Sequence, residues 1–229
     1  MRKWPGPPAR EEIRVHVQEL WRYPVKSMAG ERLDEIEATL DGFAGDRLFQ
    51  VRRGPMGRIV TSRTSPALLG LRATWDASGR EPLVNGLPWR APEVAALVRR
   101  AAGEGTRIEP GEDGRFDVLP LLVATDGAIR ALGVDHRRLR PNIVVGGVDG
   151  LAERAWPGRL LRLGKSVLVQ VAKLRQRCVM TTYDPDTQEQ DVGVLRRIVE
   201  EFDGRIALDC AVVEAGRLRV GDPVELASA

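Results

Sequence analysis

The chain has 229 residues, 35 Lys+Arg against 32 Asp+Glu for a net charge of +3, and 43% hydrophobic and 29% charged side chains. That is ordinary globular usage for one large β-rich domain or two joined small ones, and no run approaches the roughly 18 apolar residues of a membrane span. Cys178 and Cys210 are the two cysteines, too few for a disulfide scaffold or for a zinc or iron–sulfur cluster built on cysteine.

The opening MRKWPGPPAREE places prolines and acids where a secretory signal would place an apolar stretch. Residues 1–12 therefore read as a loose arm of a cytoplasmic protein. The basic charge is mostly arginine, interspersed with acids and lacking an aromatic-interleaved stripe. This argues against nucleic acid and suits an anionic ligand. From Val15 an imperfect alternation predicts a strand that Pro24 stops. Short β-like stretches follow at 34–40, 46–52, 58–61 and 68–75, with Gly and Pro turns between them. Helical spacing of Val94, Leu97 and Val98 predicts a helix over 91–101, and GEGTRIEPGEDG after it reads as loop. A second helix is expected over 126–132, ended by Gly133. Strands are then predicted at 141–147 and as a hairpin over 158–178 turning at Gly164-Lys165. The turn Asp184-Pro185-Asp186 precedes a helix that starts at the N-cap Asp191 and faces inward with Val192, Leu195, Ile198 and Phe202. Strands return in the tail, with a turn at Gly221-Asp222-Pro223. The fold class is mainly β, of α+β type.

Cys178 follows Lys173, Arg175 and Arg177, a positive field that favours the thiolate form able to bind a soft metal. A cysteine ending a strand is more often a small buried hydrophobe, and local chemistry leaves the two readings open. Cys210 alternates with Leu208 and Val212 and belongs to the core. Lys26-Ser27 sits where a strand gives way to a loop and can offer an ammonium and a hydroxyl to a phosphate, or be plain solvated surface. Arg47 after Gly45-Asp46, and Arg63 after Thr61-Ser62, can pair with an anion or lie on a wet sheet face. In Arg140-Pro141-Asn142 the proline fixes a turn that can point a guanidinium and an amide into one site, or serve the turn alone. His16 and His136 have no partner at metal-ligand spacing and are expected at surface or edge positions. Acidic pairs such as Glu200-Glu201 read as solvated charge. GxGxxG, GxxxxGK[ST] and GxSxG are missing, so nucleotide binding and serine hydrolysis lack sequence support.

Taken in order, YPVKS (23–27), GDR (45–47), VTSR (60–63), RPN (140–142), RCVMTTYDPDT (177–187) and VGDPV (220–224) resemble the MOSC family with its N-terminal β-barrel region, in its amidoxime-reducing component branch. The resemblance implies an N-terminal β-barrel-like region over 13–90 joined to a MOSC β-barrel over 91–229 with a few short helices. It implies a molybdenum–molybdopterin cofactor with Cys178 as the metal ligand. Lys26, Ser27, Arg47, Arg140 and Asn142 would hold the pterin and its phosphate. Thr125, where relatives have a serine, joins this set along with Arg63, Gln176 and Arg177. Both halves would then share one cleft. The implied activity is reduction of N-hydroxylated small molecules to an amine or amidine plus water. Some relatives append a ferredoxin domain and this sequence does not. Electrons are therefore expected from a separate ferredoxin, flavoprotein or cytochrome b5-like protein. A non-catalytic cofactor carrier, or a sulfur carrier using Cys178, is the alternative. A fold that only binds an anion is a third reading. Two departures stand out: Glu153-Arg154 replaces an acidic pair before Trp156, and Gln188 follows DPDT where glycine is usual.

Overall fold

A computed structural model describes residues 15–111 and 113–227, so the arm expected at 1–12 lies outside the described residues. The imperfect alternation after Val15 has a cause in the backbone. In β1 (His16–Arg22) a bulge between Val17 and Glu19 shifts the register, and Val17 and Leu20, three apart, both turn into the core. Next come β2 (Glu31–Leu33), β3 (Glu35–Thr39), β4 (Gly42–Phe43), β5 (Phe49–Arg53) and β6 (Arg58–Val60). The strand expected at 68–75 is half turn, because Pro66 opens a 3-10 turn to Gly70 before β7 (Ala73–Trp75). β8 (Pro82–Val84) and β9 (Leu87–Pro88) complete a small meander.

Helix α1 (Pro92–Ala102) starts on a proline at its first position and buries Val94, Val98 and Ala102. The segment read as loop after it contains β10 (Thr106–Pro110), which pairs along its whole length with β5. Two buried alternating residues, Thr106 and Ile108, are too short a pattern to announce a strand among glycines. β11 (Leu121–Thr125) runs into α2 (Asp126–Leu132), and the crossover returns as β12 (Ile143–Gly146), parallel to β11. β13 (Leu160–Leu163) and β14 (Val167–Gln176) form the expected hairpin at Gly164. Helix α3 (Val192–Phe202) has Asp191 as its N-cap, the carboxylate accepting from Gly193 N at 2.8 Å. Its buried stripe is Val194, Ile198 and Phe202, whereas Val192 is 58% exposed in the overhanging first turn. The expected inward face is corrected at that end. β15 (Arg205–Glu214), β16 (Gly216–Arg219) and β17 (Val224–Ala227) end the described chain.

Eight strands form one sheet in the order β17-β13-β14-β15-β11-β12-β1-β2. The sheet closes on itself where Val17 N donates to Asp222 O (2.8 Å), Gly221 N to Val17 O (2.8 Å) and Val224 N to Val15 O (2.9 Å). Closure encloses a core that includes Phe43, Leu121, Leu161 and Cys210. A second core gathers Val25, Val51, Leu68, Val84 and Ile108 under α1. Packing therefore crosses the sequence boundary expected at residue 90. β1 belongs to the large sheet, while α1 and β10 close the smaller lobe.

Candidate functional site

Loops from both lobes and the end of β14 line a cleft of about 380 Å³. One wall is organised by Tyr23. Pro24 ends β1, and residues 23–28 then cross the end of β5, held by Lys26 N to Phe49 O (2.8 Å) and Arg47 N to Tyr23 O (2.7 Å). Gly45 (φ +79°) lets the chain pass under Trp75. A Cβ there would come within 2.5 Å of the indole nitrogen, which donates to Gly45 O at 2.9 Å. The turn delivers Asp46 and Arg47. Asp46 is fully buried, accepting from Tyr23 N at 2.7 Å and pairing with the Arg47 guanidinium.

The Tyr23 ring carries two guanidiniums, Arg47 at 4.8 Å and Arg140 at 4.4 Å from its centroid. Its hydroxyl donates to Pro141 O at 3.0 Å, and burial pushes it up to about 12. Burial likewise pulls Arg140 down to about 10, while Arg140 Nη2 donates to Met28 O at 2.7 Å. Ser27, Arg47 and Arg140 all have left-handed backbone, at φ 74°, 53° and 57°, three of the seven such non-glycine residues among those described. Each costs about 1–2 kcal/mol, and strain of this kind collects where function fixes geometry.

The opposite wall centres on Asp117. Its carboxylate receives Lys26 Nζ at 3.0 Å, Arg63 Nη2 at 2.7 Å and Arg175 Nη2 at 3.6 Å. Burial raises this acid, but the three cations outweigh it and hold it below the usual carboxylate range. Arg175 also donates to Asp209 Oδ1 at 2.8 Å. Asp209 is 1% exposed, and burial pushes its carboxyl up against the pull of Arg175, Lys173 and Arg177.

Cys178 is half-buried on the cleft, two residues past β14, at the start of a 3-10 turn over Val179–Thr182. Arg63 is its neighbour. Burial lowers Arg63, but Asp117 and the Cys178 sulfur more than offset this and raise it above its ordinary value. Arg177 donates to Leu139 O at 2.8 Å, and burial pulls it down to about 10. The acidic end of RCVMTTYDPDT does not line the cleft. Asp186 instead receives Arg137 at 2.6 Å, while Asp184 (3.0 Å) and Thr182 O (2.8 Å) receive Arg138, fastening the turn that presents Arg140.

Of the expected site residues, Lys26, Ser27, Arg47, Arg63, Arg140, Asn142, Gln176, Arg177 and Cys178 line this one cleft. Asn142 does so with its amide already committed, its oxygen accepting from Leu122 N (3.2 Å) and Arg47 (3.3 Å) and its nitrogen donating to Trp21 O (3.3 Å). Thr125 is a correction. It is fully buried, caps α2 by accepting from Ala128 N at 3.2 Å, donates to Glu153 at 3.2 Å, and does not line the cleft. His136 has an acidic partner after all, Glu19 at 2.9 Å, 117 residues away. Sequence reasoning missed Asp117, Asp209 and Arg115, whose Nε donates to Asp46 O at 2.8 Å. Asp209 had a signal: an acid inside IALDCAV, a run otherwise apolar enough to be covered on both faces.

The MOSC domain family matches residues 123–225, and the MOSC N-terminal beta barrel domain family matches 14–107. The chain belongs to the MOSC family, in the form that carries the N-terminal β-barrel domain. Among its relatives, the human Mitochondrial amidoxime reducing component 2 is 26% identical over 97% of this chain and 87% of its own length. The human Mitochondrial amidoxime-reducing component 1 is 28% identical over 79% and 68%. The YUAD protein of Bacillus subtilis shares the fold, with a TM-score of 0.52 at 15% identity over 94% of this chain and 96% of that one. Among the described residues no helix is long and apolar enough to cross a membrane.

Proposed function

We propose that the protein holds a molybdenum–molybdopterin cofactor in this cleft and reduces N-hydroxylated small molecules, with Cys178 as the protein's ligand to the metal. The observation that carries this is a free, half-buried thiol on a cleft where seven cationic side chains face two carboxylates. The donor set fits the group. Ser27, Arg47 and Arg140, fixed by left-handed backbone, and Lys26 beside them offer cations and a hydroxyl to anionic oxygens. Arg63 sets a permanent positive charge beside the Cys178 sulfur, a soft donor of the kind a soft metal takes. When bound, the cofactor supplies the two-electron reducing centre.

The net change is R–NHOH + 2 electrons + 2 protons to R–NH2 + H2O. The electrons come from a separate carrier of ferredoxin, flavoprotein or cytochrome b5 type. The chain's own part is positioning. The Tyr23 wall fixes the anionic groups, and the Asp184 and Asp186 clamps hold Arg140 in place. Purification from a cofactor-producing host tests the reading by molybdenum and pterin per polypeptide in wild type and Cys178→Ser. Wild type should carry both and reduce an N-hydroxylated amidine with a chemical electron donor, and the variant should lose molybdenum. Metal-free wild type overturns the proposal, and loaded wild type that reduces nothing leaves a carrier.

A further inference from the structure

We infer that Asp209 is the cleft's recognition residue for the cofactor's heterocycle, its free carboxylate oxygen accepting from the amino and ring N–H donors of the 2-amino-4-oxopyrimidine edge of a pterin. This rests on the reading of the cleft given above.

Asp209 lies on β15 opposite Lys173 of β14, in a run, 206–210, in which every residue is buried. Its Oδ1 is held by Arg175, but Oδ2 has no partner. A buried carboxylate with one oxygen left empty is a cost that stability does not explain, because an apolar residue would serve the strand better. The cleft has a second orphan, Arg177 Nε, also buried and without an acceptor. The two side chains line the same cleft, and each feels the other's charge. One free acceptor and one free donor match a heterocyclic amide edge, which offers N–H groups to the carboxylate and a carbonyl to the guanidinium. A phosphate does not match, since a carboxylate repels it. The heterocycle is therefore assigned to the β15 side, and the anionic oxygens to Ser27, Arg47 and Arg140.

The experiment compares wild type and Asp209→Asn, both purified from a cofactor-producing host, by pterin per polypeptide and its loss on dialysis. Asparagine is isosteric but offers N–H groups where the pterin also donates. One lost charged hydrogen bond predicts roughly 10- to 100-fold weaker retention. Inorganic pyrophosphate should bind the stripped variant at least as tightly as stripped wild type, since a carboxylate charge is gone from the cleft, and this also reports that the variant is folded. Equal pterin retention in the variant and a loaded wild type overturns the inference and leaves the proposed function standing. Equal loss of pterin and pyrophosphate affinity also overturns it, since Asp209 would then act on the whole cleft. Wild type without pterin overturns the reading beneath it. A second measurement needs no variant: stripped wild type should bind pterin at least about 10-fold tighter than 2,4-dioxopteridine, which has a carbonyl in place of the amino group. Binding no tighter than that, or of neither, overturns the assignment.

Discussion

Around Tyr23 the cations are held by an aromatic ring, backbone carbonyls and one fully buried carboxylate, whereas around Asp117 they are held by exchangeable ion pairs. The first wall is preformed, with its cost already met in left-handed backbone and desolvated charge. The second keeps Lys26, Arg63 and Arg175 on a carboxylate that an incoming anion can replace. A binding cleft can thus divide its labour, one side rigid and specific, the other a store of charge neutralised until it is needed.

The comparison breaks first at Asp46. Replacing it with alanine takes from Arg47 its buried carboxylate partner and leaves Tyr23 N unpartnered. The expected loss is about 3–5 kcal/mol, a melting temperature lower by roughly 10 °C. A drop of only a degree or two would mean that this wall is not preformed. Tyr23→Phe removes the donor to Pro141 O and should cost about 1–2 kcal/mol, read by urea denaturation. Thr125→Ala tests the correction made above. It should cost about 1 kcal/mol through the lost cap while leaving pterin content per polypeptide unchanged.

On the other wall Asp117→Asn should move stability by less than about 1 kcal/mol, since the partners are partly exposed and screened. It should also tighten inorganic pyrophosphate binding, measured by calorimetry, because the competing charge is gone. The sign with pH follows from the lowered acid. Asp117 contributes its stability in full above the unfolded carboxylate value, and loses it as pH falls through the lower folded value. The variant should therefore show a flatter melting temperature below about pH 4. The smallest effect is at Gln188, whose φ of 59° suits glycine. Gln188→Gly relieves roughly 1 kcal/mol of backbone strain but forfeits side-chain bonds to Pro185 O and Asp186 O. A gain of a few tenths of a kcal/mol is expected in a thermal melt.

Much of the site was legible because it is made of local signals. YPVKS, GDR and RPN each put a cation at a turn that Pro or Gly fixes, RCVMTT puts a thiol just past the end of β14, and all of them meet at the cleft. Asp117 escaped notice because nothing nearby distinguishes an acid in GRFDVLP from a solvated loop residue. Its partners are 54 to 91 positions away. Thr125 misled for the opposite reason. The resemblance alone put it in the cofactor set, and in the structure it is buried against Glu153 and caps α2.

Sequence by itself determined β1, the β13–β14 hairpin, the start of α3 and the order of the cation-bearing turns, since these depend on neighbours within a few residues. Tertiary structure alone decided which turns face one another. It also set the two guanidiniums on Tyr23 and left Asp209 and Arg177 short of partners. The physical reason is closure of the barrel. Until β1 meets both β12 and the turn before β17, groups more than a hundred residues apart share no environment, and neither burial nor pairing has a value.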